Sequence, residues 1–114
     1  MNKTAIKNFA IWARTKLIAD ICYRAGLMGI TEKGIADPLP QSTLDAQFYD
    51  IGAAEPYLVA GEAIKQRRQL VSAIREKEKN SDYRTAYQYV MEEVAYTWFN
   101  RLIAVRFMEV NDYL

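Results

Sequence analysis

A chain of 114 residues with a formal net charge of +1, half apolar and a quarter charged, has room for one domain with a modest core. Its near-neutral balance supplies no global drive toward nucleic acid, so any such footprint has to be local. One cysteine, Cys22, and no histidine exclude an internal disulfide, a Cys/His zinc site and histidine-based acid–base or triad chemistry.

Ile6, Phe9, Ala13 and Leu17 recur at three- and four-residue steps, which predicts an amphipathic helix over about residues 4–25. Ile11, Ile18 and Cys22 line a neighbouring stripe, and Lys3, Lys7 and Arg14 fall on a third line. Two buried faces and one basic edge are therefore expected, with Gly26 as the C-terminal cap. From Leu27 to Gly61 the pattern breaks, because Gly29, Gly34, Pro38, Pro40, Gly52 and Pro56 punctuate it too densely for a long helix. One short helical turn is expected within Leu27 to Ile35. Gln47 to Ile51 and Tyr57 to Ala60 read as short extended pieces. Phe48, Tyr49 and Tyr57 imply that this irregular segment packs against something.

A second helix is predicted over 62–79, with Gly61 at its N-cap and Glu62 complementing the helix dipole. Its apolar stripe (Ile64, Leu70, Val71, Ile74) is narrow, and Lys65, Arg68, Arg75 and Lys79 share one side. Asn80, Ser81 and Asp82 mark a break, with Ser81 or Asp82 capping a third helix over 83–112. That helix contains no Gly or Pro, is apolar on most sides and ends without a stop signal. A helix apolar on most sides must be covered on most sides. Little else in the chain is free to cover it, so the chain reads as a piece of something larger. The fold class expected is all-α: three main helices around an irregular, partly extended middle.

Charge alternates along this plan. Residues 1–30 carry a net +4, residues 31–61 a net −4, residues 62–81 a net +3 and residues 82–114 a net −2. Basic helical edges thus alternate with acidic stretches. The N-terminus lacks the layout of a secretory signal, and no apolar run approaches the ~20 residues needed to span a bilayer. A cytoplasmic location without a membrane partner is the expectation.

Few residues invite chemistry. Cys22 sits among Ile18 and Ile21 and reads as a small apolar side chain rather than a reactive thiol. Glu92, Glu93 and Glu109 lack the histidine partner that carboxylate-helix metal sites use, so no metal site is expected. Tyr83, Tyr87, Tyr89, Tyr96, Trp98 and Phe99 are interleaved with Val90, Met91 and Val94, which favours core or interface over a base-stacking platform. The basic edges (Lys3, Lys7, Arg14; Lys65, Arg68, Arg75, Lys79) are the only candidates for DNA. They would meet phosphates, which position a protein without specifying a sequence. Phosphate loops, nucleophile elbows and calcium loops are missing, so catalytic residues and cofactors are assigned to none of these positions.

The stretch from Ala95 to Leu114 contains Asn100-Arg101-Leu102 followed by Arg106-Phe107-Met108-Glu109. It resembles a helix near the N-terminus of large adenine-specific DNA methyltransferases. With Lys7 to Ile18 and Gly29 to Pro40, the whole chain resembles the N-terminal region of PglX-type methyltransferases of the BREX phage-defence system. The resemblance implies a parent enzyme that transfers a methyl group from S-adenosylmethionine to N6 of adenine in duplex DNA, flipping the base to do so. It implies that residues 1–114 form a single N-terminal helical domain of that enzyme. The parent's glycine-containing cofactor motif and Asn/Asp-Pro-Pro-Tyr/Phe motif are absent from the sequence, whose prolines are never adjacent. The residues carried over are Trp98, Asn100, Arg101, Leu102, Arg106, Phe107 and Glu109, expected to pack against the catalytic domain of the same chain. Duplex DNA and other defence components are the further partners expected. The rival expectation is a module that docks such components through the acidic, aromatic-containing residues 44–57 without touching DNA. In isolation, exposed apolar surface is expected to favour self-association.

Overall fold

The computed structural model describes residues 3–110, with side chains for all of these except Ile6 and residues 102–110. Three helices carry most of the chain: α1 (Lys3–Leu27), α2 (Glu62–Glu78) and α3 (Tyr83–Val110). The expected third helix ran to 112, and its last two residues lie outside the described ones. The all-α expectation is corrected in the middle by two antiparallel hairpins. One pairs β1 (Ile30–Thr31) with β2 (Gly34–Ile35), the other β3 (Ala46–Tyr49) with β4 (Tyr57–Ala60). The two extended pieces read from the sequence are therefore partners in one ladder.

The end of α1 also differs from expectation. The helix runs through Gly26 and stops at Leu27, where Met28 N–H bonds Ala25 O and Gly29 N–H bonds Gly26 O. Gly29 is the residue that breaks it, with φ at +77°, a left-handed conformation that favours glycine. The chain then turns directly into the β1–β2 hairpin, so no further helical turn forms. Ile30 pairs with Ile35, and Thr31 closes the tight turn by accepting from Lys33 N–H and donating to Gly34 O.

The main core forms where the last turns of α1 meet β1, α2 and α3. Ala25, Ile30, Ile74, Ala86, Tyr87, Val90 and Met91 are buried together, with Ile21, Cys22, Leu70 and Val71 packed around them. Asp82 caps α3 by accepting from Thr85 N–H at 2.7 Å, whereas Ser81 closes α2 by donating to Lys77 O. Tyr83 donates to Thr31 O and Arg84 lies 3.9 Å from Glu32, so the first turn of α3 is tied to the first hairpin.

The expectation that α1 buries two faces along its length does not hold. Only its C-terminal half contributes to this core; Phe9 and Trp12 are 57% and 60% exposed, and Ile11 is exposed beside them. The physical reason lies in what α1 touches: it packs along α3 and against β1, and in its first half, among the described side chains, only Ala10 and Ala13 are partly buried.

Candidate nucleic-acid interface

Gly61 opens α2 with φ at +63° and no side-chain cap, and Glu62 occupies the first turn. Lys65 and Arg68 follow on the exposed side, where both line a shallow depression of about 400 Å³ with Leu44, Asp45, Gly61 and Ile64. Arg68 also borders an adjoining depression of about 160 Å³, between α2 and β3, lined by Pro38, Gln47, Tyr49, Ile64, Arg67 and Val71. Lys65 and Arg68 make no ion pair among the described residues, so their charges face solvent unneutralised.

The other two cations of that edge stand differently. Arg75 pairs with Glu78 at 2.8 Å and Lys79 with Glu76 at 3.0 Å, both across one helical turn and both exposed. Such pairs are weak, on the order of 0.3–0.5 kcal/mol, yet they cancel the local charge that a phosphate would meet. Lys3, Lys7 and Arg14 are exposed along the first half of α1. The basic candidates therefore fall into a set on α1, a bare pair at the start of α2 and a neutralised pair at its end.

The residues expected to pack against another domain lie in the second half of α3. Trp98 is 49% exposed, with the Arg101 guanidinium 5.3 Å from the centre of its ring, and Asn100 and Arg101 are exposed. Leu102, Arg106, Phe107 and Glu109 fall where only the backbone is described, so the placement of their side chains lies outside the described residues. Tyr83 and Tyr87 stack at 6.3 Å and belong to the core, whereas Tyr89 and Tyr96 are exposed. Cys22 is partly buried beside that core.

The residue that apolar spacing conceals is Arg67. It occupies the position that completes the stripe Ile64, Val71 and Ile74, three residues after the first and four before the second. Its guanidinium points inward, donating Nε–H to Met28 O and an Nη2 hydrogen to Ala36 O, each at 2.7 Å, and stacking 4.2 Å from the centre of the Tyr49 ring. Burial draws the Arg67 guanidinium below its ordinary value, against the opposing pull of Tyr49 and Asp37. Burial likewise raises the Tyr49 phenol, whose hydroxyl donates to Gln47 Oε1 at 2.8 Å. An arginine placed on an apolar stripe was the available signal for this cross-link. Arg67 thereby fixes the wall of the smaller depression and sets its neighbour Arg68 outward.

Among the described residues, no group of three or more His, Cys, Asp or Glu side chains is placed to hold a metal ion, and no helix is long and apolar enough to cross a membrane.

Two curated proteins align with the entire chain. Adenine-specific methyltransferase PglX of Lacticaseibacillus casei (strain Zhang) is 45% identical over 115 residues, and adenine-specific methyltransferase BrxX of Escherichia coli O9:H4 (strain HS) is 31% identical over 120 residues. In both cases the chain spans 9% of the relative's length. No family model and no solved structure matches.

Proposed function

We propose that this chain, which is homologous throughout to one short segment of the PglX-type adenine-specific methyltransferases, is the N-terminal helical scaffold of such an enzyme in phage defence. The observation that carries the proposal is the 45% identity to PglX across the whole chain. In this reading the longer protein methylates N6 of adenine in duplex DNA in the cytoplasm. In the same reading S-adenosylmethionine and the catalytic groups belong to the remainder of that protein, in keeping with the absence of the cofactor and Asn/Asp-Pro-Pro-Tyr/Phe motifs from this sequence.

The scaffold has two tasks. Through Trp98, Asn100, Arg101 and the turns of α3 beyond them, including Leu102, Arg106, Phe107 and Glu109, it buttresses the catalytic domain. Through Lys65 and Arg68, together with Lys3, Lys7 and Arg14 on α1, it lends positive charge to the DNA backbone. Arg75 and Lys79 contribute less, since each shares its charge with a glutamate one turn away. Contacts of this kind hold the duplex in register and carry no sequence information.

The scaffold role is tested by deleting the segment from the full-length protein and measuring methylation of a DNA substrate, then supplying the 114-residue chain separately. Loss of methylation on deletion, with partial recovery on addition, is the expected result. Full methylation without the segment would overturn it.

A further inference from the structure

The two edges of the β3–β4 hairpin are finished differently. Along β3 the outward-facing backbone groups are those of Ala46 and Phe48, and all four are occupied. Leu39 N–H donates to Phe48 O and Thr43 N–H to Ala46 O, each at 2.8 Å. Phe48 N–H donates to Ser42 Oγ at 2.8 Å, and Ala46 N–H to Thr43 Oγ1 at 3.1 Å. In an antiparallel ladder, directly opposite residues turn their backbone groups the same way, both inward or both outward. Phe48 stands opposite Leu58 and Ala46 opposite Ala60. The N–H and C=O groups of Leu58 and Ala60 therefore point away from β3, and no turn or side chain among the described residues takes them up.

This open edge lacks the usual deterrents. β4 carries no charge and no proline, and Tyr57 and Leu58 are 39% and 49% exposed. Exposed edges are normally blunted by lysine, proline, a bulge or a covering loop, because unpaired strand groups template the addition of another strand. Here the covering loop, residues 39–43, was placed on β3 alone.

The charge around the edge selects what can be added. Asp45, Asp50, Glu55 and Glu62 bracket the hairpin, and no basic residue occurs from 46 to 61. Lys65 and Arg68 offset this at the Asp45 end, where they share a depression with it. The excess negative charge is thus concentrated at the Asp50–Glu55 loop, beside Tyr57. A second copy paired in parallel would bring two such loops together, which like charges oppose. Paired antiparallel it would set each loop beside the other copy's Lys65 and Arg68, so self-pairing is the competing outcome of the test below.

We infer that β4 is a docking edge for an extended segment of a partner protein, added as a strand and carrying basic residues where it passes the Asp50–Glu55 loop. Main-chain bonds to Leu58 and Ala60 would provide the attachment, an apolar side chain seated on Leu58 the packing, and the acidic loop the selectivity.

The test uses two short peptides of alternating valine and threonine, one flanked by lysines and the other by glutamates, titrated into the 114-residue chain. Amide hydrogen exchange is followed residue by residue. The lysine peptide is expected to slow exchange at Leu58 and Ala60 at least about tenfold and to bind at least about tenfold more tightly than the glutamate peptide. Leu58→Pro removes an outward donor without touching the ladder to β3, and it should abolish this protection while Val59 N–H stays protected. Should that variant lose Val59 protection, Leu58→Lys decides instead, by weakening the lysine peptide at least about tenfold. Equal binding of the two peptides, unchanged exchange at Leu58 and Ala60, or undiminished binding by the variants overturns the inference. Protection of those amides that appears with protein concentration alone also overturns it, in favour of self-pairing.

Discussion

The Arg67 guanidinium lies 4.2 Å from the centre of the Tyr49 ring and bonds the carbonyl oxygens of Met28 and Ala36. One side chain thereby joins α2 to β3, to the turn after α1 and to the irregular segment that leaves β2. Its two carbonyl partners lie 39 and 31 residues away in sequence. Arg67→Ala is expected to destabilise the chain by about 2–3 kcal/mol, from two charged hydrogen bonds and a lost cation–π contact. Arg67→Lys keeps the charge but not the planar fork, and it should recover less than half of that loss. Urea denaturation of the variants checks both, and an Arg67→Ala chain as stable as the parent would remove Arg67 from this role.

Gly29 and Gly52 both adopt positive φ, at +77° and +80°. Their surroundings differ. A Cβ at Gly29 would sit 3.0 Å from both Ala36 Cβ and Tyr49 Cδ1, whereas one at Gly52 meets nothing within 4 Å. Gly52→Ala should therefore cost only the backbone term, about 1 kcal/mol, and Gly29→Ala about 2–4 kcal/mol as Tyr49 is displaced. Thermal unfolding of the two variants in parallel makes the comparison, and equal losses would contradict the packing described around Tyr49.

Burial raises the phenols of Tyr87, Tyr83 and Tyr49 above their ordinary value of 10.0, most of all Tyr87, whose bond with Cys22 adds to the effect. A raised folded value means that the unfolded chain releases its protons first as pH climbs. The corresponding stability is complete below the ordinary tyrosine value and is lost as pH rises through the folded values. Melting temperatures should accordingly hold steady up to about pH 9 and fall beyond it, with Tyr87→Phe flattening the fall. Asp82 works in the opposite sense: its bonds from Thr85 lower its value below the ordinary 3.8, so its contribution is present above that pH and is lost as pH falls through the folded value.

The helices are legible in the sequence because three- and four-residue apolar spacing and polar breaks are local signals, as at Ile64, Val71 and Ile74 or at Ser81 and Asp82. The hairpins are less so. Strands of two and four residues are too short to show alternation, and their pairing depends on bonds such as Phe48 N–H to Ser42 Oγ that join positions across a loop. The end of α1 shows the same limit, since Gly26 and Gly29 look alike in sequence and only the close approach of Ala36 and Tyr49 selects the second. At the basic edge, spacing groups Lys65, Arg68, Arg75 and Lys79, of which the first three lie on α2 and Lys79 is its C-cap. It did not distinguish the cations paired with Glu76 and Glu78 from the two left bare. The role of Arg67 is not visible in local spacing, because its inward path is set by partners 31 and 39 residues away.

The central claim, that this segment lends charge to the DNA backbone, is tested most directly by the salt dependence of duplex binding. The measurement is made on the longer protein proposed to carry this segment, with and without Lys65→Gln and Arg68→Gln together. Each phosphate contact contributes about 0.9 to the slope of log K against log salt. The double variant should bind more weakly at low salt and with a slope shallower by about 2, while Arg75→Gln and Lys79→Gln change it less. An unaltered slope and affinity across the salt range would contradict the claim.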